Sequence, residues 1–117
     1  MDIKEQLKII ISAADDKRAE NIVVLDISEV SQLTDFFVIM DAGSNRQVRA
    51  ITENIQDVMS ENNVNYKNVE GLDQADWVLL DYLNIMVHIF DRESREFYQL
   101  ERLWSDAKLV DVKELID

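Results

Sequence analysis

The sequence predicts an α/β fold in which helices cover a mixed sheet of four or five strands. Three observations predict it. Stretches of helical hydrophobic spacing alternate with short, β-branched apolar runs. At 117 residues and 47% apolar composition, the chain is long enough to bury roughly 60–70% of its unfolded surface in one core. Proline is absent and glycine occurs only at Gly43 and Gly71, so no linker, repeat or second unit is marked.

Asp2 and Glu5 open the first helix as a D-x-x-E cap, in which Asp2 accepts from otherwise unpaired N–H groups. Ile3, Leu7, Ile10, Ile11 and Ala14 recur at helical spacing, which predicts a helix over about 2–19. Ile22 to Ile27 reads as a buried strand, Ser28 to Thr34 as a turn, and Phe36 to Met40 as a second buried strand. Ser44 and Gln47 form a capping box, and Val48, Ile51, Ile55, Val58 and Met59 trace one helix face to about Asn62. Tyr66 to Glu70 suits a short edge strand, and 71–76 a loop. Trp77 to Tyr82 and Ile85 to Phe90 are strands separated only by Leu83-Asn84, a tight hairpin. Asn84 tolerates positive φ and Leu83 does not favour it, so the spacing leaves the turn type open. Phe97, Leu100, Leu103, Trp104 and Ala107 predict a helix over about 92–107. The patterned domain therefore spans 1–107, with 108–117 a short C-terminal tail.

Pairing Tyr82 with Ile85 fixes the hairpin register and divides its side chains between two faces. Val78, Leu80, Tyr82, Ile85, Val87 and Ile89 form an aliphatic face that must meet helices. The other face combines Trp77, Leu79, Asp81, Met86, His88 and Phe90. Aromatic anchors with a few polar handles are what interface hot spots use. Two readings stand: a partner-binding surface, or a face covered by a second helix with Asp81 at its rim.

Composition narrows the function. With 24 acidic and 12 basic residues the net charge is −12, unsuited to phosphate backbones and suited to a basic protein partner. Cysteine is absent and His88 is the lone histidine, so disulfides, thiolate chemistry and a His-rich metal centre are excluded. Apolar runs reach about five residues, against the roughly 20 needed to span a bilayer, so no membrane role is expected. The charged start MDIKEQLK resembles neither a signal nor a transit peptide, which points to a cytosol.

No catalytic constellation is complete. Asp81 and His88 can lie near each other on the mixed face, but no serine sits in a nucleophile-elbow context. Gly43-Ser44 between a strand and a helix also suits triphosphate binding in a nucleotidyltransferase. The metal-holding carboxylate pair is missing: 66–70 offers only Glu70 and 77–82 only Asp81. The plainer reading of Gly43-Ser44 is a helix cap. Arg46 and Arg49 can grip an anion, or pair with nearby acids. Catalytic residues, cofactors and metals are accordingly expected to be none.

The segments FFVIMDAGSNRQVRAI and ADWVLLDYLNIMVHIFDRESREFYQLERLWSDA resemble the ribosomal silencing factor family, also called Iojap-like. The resemblance rests on Asp35 to Ile39, Gly43 to Val48, W-x-x-x-D at Trp77 to Asp81, V-H-I-F at 87–90, and Arg95 through Trp104. It covers roughly 2–107; Leu83-Asn84 departs from the family's usual Gly-Asp. It implies a minimal nucleotidyltransferase-like fold without the catalytic acids. It also implies a translational repressor that binds large-subunit ribosomal protein fourteen and blocks joining of the small subunit. The family's organellar members carry targeting extensions, which makes a bacterial cytoplasm the expected location. On this reading Trp77, Leu79, Asp81, Met86 and His88 contact the partner, and Tyr98, Glu101 and Arg102 extend the patch. Two alternatives remain: a divergent nucleotidyltransferase using Gly43, Ser44 and Asp81, and a homodimeric structural module that buries the mixed face.

Overall fold

The computed structural model describes residues 1–98, 102 and 106–116, without the side chains of Phe97, Tyr98 and Ile116. Helix α1 spans Ile3–Asp16, and its first turn is closed by the Glu5 N–H donating to Asp2 Oδ1 at 2.8 Å. Strands β1 (Glu20–Asp26) and β2 (Phe36–Ala42) come next. Helix α2 (Asn45–Glu61) starts at Ser44, whose side chain accepts from the Gln47 N–H. The short β3 (Asn68–Glu70), then β4 (Trp77–Asp81) and β5 (Ile85–Asp91), lead into α3 (Arg92–Tyr98).

The helix expected to run to about 107 has ended by Asp106, which lies in a turn, and 99–101 and 103–105 fall outside the described residues. Lys108–Val110 forms β6 and Val112–Ile116 a short helix, α4. Among the described residues the strand order is β3-β4-β5-β2-β1-β6, six strands rather than four or five. Only β2 and β5 pair in parallel; the other neighbours are antiparallel, so the sheet is mixed as expected. The sixth strand escaped prediction because it is three residues long and pairs with β1, distant in sequence.

Helices α1 and α2 lie on one face of the sheet. Leu7, Ile10, Ile11 and Ala14 of α1 and Val48, Ile51, Ile55 and Met59 of α2 meet Val24, Val38, Met40, Val78, Leu80, Val87 and Ile89, all buried. The aliphatic hairpin face therefore points into the main core, and Leu115 of α4 joins it. Asn54 Nδ2 donates to the Ala13 carbonyl at 2.8 Å and ties the two helices together. Burial of this many aliphatic side chains, at roughly 1.5–3 kcal/mol each, is the principal source of stability.

Candidate functional site

The hairpin has the register read from its sequence: Trp77 opposite Phe90, Val78 opposite Ile89, Leu79 opposite His88, Leu80 opposite Val87 and Asp81 opposite Met86. Because paired residues share a face, the mixed face continues across the sheet in rows. One row is Asp81, Met86, Phe37, Leu25 and Leu109; the next is Leu79, His88, Ile39 and Val23. The third begins at Trp77 and Phe90 and reaches Asp41.

This outer face is not open along its whole width. Leu25, Phe37, Ile39 and Phe90 form a second apolar cluster with Ile27, at most 6% exposed, and Ala107 packs against it. His88 is also buried, whereas Trp77, Leu79, Asp81 and Met86 are half-buried along the β4 side. The centre of this face is thus covered and its hairpin flank is accessible. Of the expected contact residues, the structure brings five together here. Arg102 is exposed, the side chain of Tyr98 is not described, and Glu101 lies outside the described residues.

Trp77 and His88 act as a unit. The Trp77 ring stacks on Phe90 with centroids 5.1 Å apart, and its Nε1–H donates to His88 Nδ1 at 3.1 Å. His88 also meets the edge of Phe37 at 4.6 Å. Burial pushes the imidazole down from 6.5 to about 4, so it is neutral and able to accept at Nδ1. The His88–Asp81 dyad is therefore not formed: Asp81 instead accepts from the Leu83 N–H at 2.7 Å, closing the turn. Gly71, at φ +83°, passes so close to the Trp77 carbonyl that a Cβ would sit 2.2 Å from it. That contact holds the start of β4 against the preceding loop.

A pH dependence results. The unfolded chain takes up a proton at His88 below pH 6.5, and the folded chain only near 4. The stability is fully present above 6.5 and is lost as pH falls through about 4. Between pH 6.5 and 5 the decline from this group is roughly 2 kcal/mol. His88→Gln keeps an acceptor without the titration, so urea unfolding across that range should show a flatter profile. Identical slopes for parent and variant would contradict the assignment.

At the Gly43-Ser44 corner the polar groups are already engaged. Gln47 Oε1 accepts from the Gly43 N–H at 3.1 Å, and Gln47 Nε2 donates to the Lys17 and Arg18 carbonyls, both at 3.1 Å. The acids at the adjoining strand ends are Asp41 and Asp91, since Asp91 pairs with Ala42. Asp91 accepts from the Ser94 N–H at 2.8 Å and opens α3. Asp41, 3% exposed at its side chain, accepts from Arg95 Nη1 at 3.1 Å and from Asn21 Nδ2 at 3.0 and 3.2 Å. Arg92 lies 3.7 Å from Asp41 and bonds Glu20 at 3.0 Å. Arg49, expected to hold an anion or an acid, donates instead to the Leu72 and Asp73 carbonyls. No cluster of three or more His, Asp or Glu side chains suited to a metal occurs among the described residues.

The arrangement has close counterparts. A Bacillus subtilis protein named Ribosomal silencing factor RsfS is 45% identical over 112 residues, covering 96% of this chain and 95% of that one. A crystal structure from Bacillus halodurans, 38% identical, superposes with a TM-score of 0.83 over 92% of this chain and 98% of its own. A Chromobacterium violaceum structure, 32% identical, gives 0.87 over 90% and 88%. The sequence profile described as "Ribosomal silencing factor during starvation" matches residues 1–117. A fold shared with these structures, the motifs around its hairpin and a match along its whole length lead to one statement: the chain belongs to the ribosomal silencing factor family.

Proposed function

We propose that this protein is a translational repressor that binds the large ribosomal subunit through its basic protein fourteen and sterically blocks joining of the small subunit. Membership of a silencing-factor family supports action at the ribosome. The observation that carries the binding mode is the half-buried flank of the outer face, where Trp77, Leu79, Asp81 and Met86 stand beside a covered apolar centre. An accessible aromatic with a carboxylate and a thioether, next to well-packed neighbours, has the makeup of a hot-spot patch. The net charge of −12 favours a basic partner and disfavours direct reading of nucleic acid. Arg102, which is exposed, is taken with Tyr98 and Glu101 to contact the same partner, as the family resemblance implies. His88 acts from beneath, holding the Trp77 ring through its hydrogen bond.

The role is one of occupancy and not of catalysis. Among the described residues, the Gly43 N–H, Gln47, Asp41 and Asp91 are engaged in caps and ion pairs, which favours this reading over a nucleotidyltransferase. The bacterial cytoplasm, where ribosomes are assembled and joined, is the corresponding location. Off the ribosome, a homodimer that buries the same face would compete with subunit binding. In a joining assay, large subunits preincubated with the protein should form fewer joined ribosomes when small subunits are added. Raising salt should relieve the block, because steering between exposed charges is screened beyond a Debye length of about 8–10 Å. Unchanged joining at saturating protein would refute the proposal.

A further inference from the structure

The hairpin turn carries a leucine where folding gives no reason for one. Leu83 has φ +76°. Its neighbour's N–H, from Asn84, donates to the Tyr82 carbonyl at 3.0 Å, which makes a γ-turn centred on Leu83. Glycine enters this conformation without steric penalty and leucine does not. The side chain remains 50% exposed, so half of it stays available to a partner.

A second exposed leucine stands at the same end of the sheet. The loop between β1 and β2 is folded on itself: the Ile27 N–H donates to the Asp35 carbonyl at 2.9 Å, and the Leu33 N–H to Ser31 Oγ at 3.1 Å. Its end is stitched to the hairpin turn, since the Asp35 and Phe36 N–H groups both donate to the Asn84 carbonyl at 3.1 Å. This ordered loop presents Leu33 at 74% exposure, with Val30 also exposed. Asp81 and Met86 are the last pair of the outer face before Tyr82 and Ile85 close the turn, so the apolar end adjoins the accessible flank of that face. Asp26, Glu29, Asp35 and Asp81 lie at this end of the sheet and outnumber its bases, Lys67, whose N–H donates to the Asp81 carbonyl at 2.7 Å, and Lys108, ion-paired to Glu29 at 3.4 Å. Apolar side chains inside an acidic rim complement a basic surface that presents an apolar side chain of its own.

We propose that Leu83 and Leu33 form an apolar extension of the partner-binding face, seating an aliphatic or aromatic side chain of the same basic ribosomal protein. This rests on the function proposed above and adds a second, separable anchor to it. The test uses purified free large ribosomal subunits and the full chain. Leu83→Gly should raise the denaturation midpoint while weakening subunit affinity about threefold to tenfold, the effect of removing a secondary contact. Leu33→Ser, at an exposed position, should leave the midpoint unchanged and weaken binding similarly. If both variants bind like the parent while Trp77→Ala loses binding, the extension is wrong and the function stands. If Trp77→Ala also binds like the parent, the function proposal falls and the extension with it. A Leu83→Gly chain less stable than the parent would overturn the strain argument and the proposal.

Discussion

Replacing Arg95 with methionine is expected to cost about 3 kcal/mol or more of folding free energy, the scale for stranding one member of a buried ion pair. Arg95 and Asp41 are 11% and 3% exposed at their side chains and 3.1 Å apart. With the guanidinium gone, the carboxylate keeps Asn21 and the more distant Arg92, which cannot replace a direct charge-assisted bond. Arg95 also donates to the Asn21 carbonyl, at the bulge where β1 slips register between Glu20 and Val23. Asn21 adopts φ +54° there, a conformation that asparagine tolerates. The cluster thus ties the first turns of α3 to the ends of β1 and β2 and fixes the direction in which that helix leaves the sheet. Arg95→Met combined with Asp41→Leu should recover much of the loss, because two apolar groups leave no buried charge. Denaturation midpoints of the two single variants and the double variant decide it. A cost below about 1 kcal/mol for Arg95→Met would place the pair among ordinary surface ion pairs.

Trp77→Ala and Val87→Ala should separate binding from folding. Trp77→Ala is expected to cost about 2 kcal/mol or more of partner binding, as for a central aromatic anchor. The sequence pattern alone implies a stability cost much smaller than the binding cost, on the premise of an open face. The structure revises that: the ring stacks on buried Phe90 and donates to His88, so a loss of about 1–2 kcal/mol in folding should accompany it. Val87 is fully buried in the main core, and Val87→Ala should lose roughly 1–3 kcal/mol of folding free energy with affinity unchanged in the folded fraction. Trp77→Phe retains the stack without the N–H and should fall between parent and alanine in both measurements. If Val87→Ala bound poorly while fully folded, the functions assigned to the two faces would have to be exchanged.

The parts of the fold legible in the sequence are local ones. Asp2 and Ser44 are read as caps because their partners lie three residues away, and both bonds are present. The hairpin register comes from two residues between alternating strands, and all five pairs agree. The features that escape a sequence reading are long-range or too short to carry a period. Lys108–Val110 has three residues and reads as a strand only beside β1. Arg95 sits among charged neighbours and resembles a solvated helix position; its partner lies 54 residues away. Leu83 breaks the conformational rule for a turn, and no local signal says why a leucine stands there. The candidate site is legible as a set, because alternation alone groups Trp77, Leu79, Asp81, Met86 and His88. Its depth is not: that Phe90 and His88 are covered depends on β1, β2 and Ala107 meeting the same face.

On the proposed function, this chain occupies the joining face of the free large subunit. Sedimentation through a gradient containing both free large subunits and joined ribosomes tests it most directly. The protein should travel with the free large subunits, be absent from joined ribosomes, and remain at the top of the gradient when it carries Trp77→Ala. Equal amounts on free subunits and on joined ribosomes would contradict steric blocking.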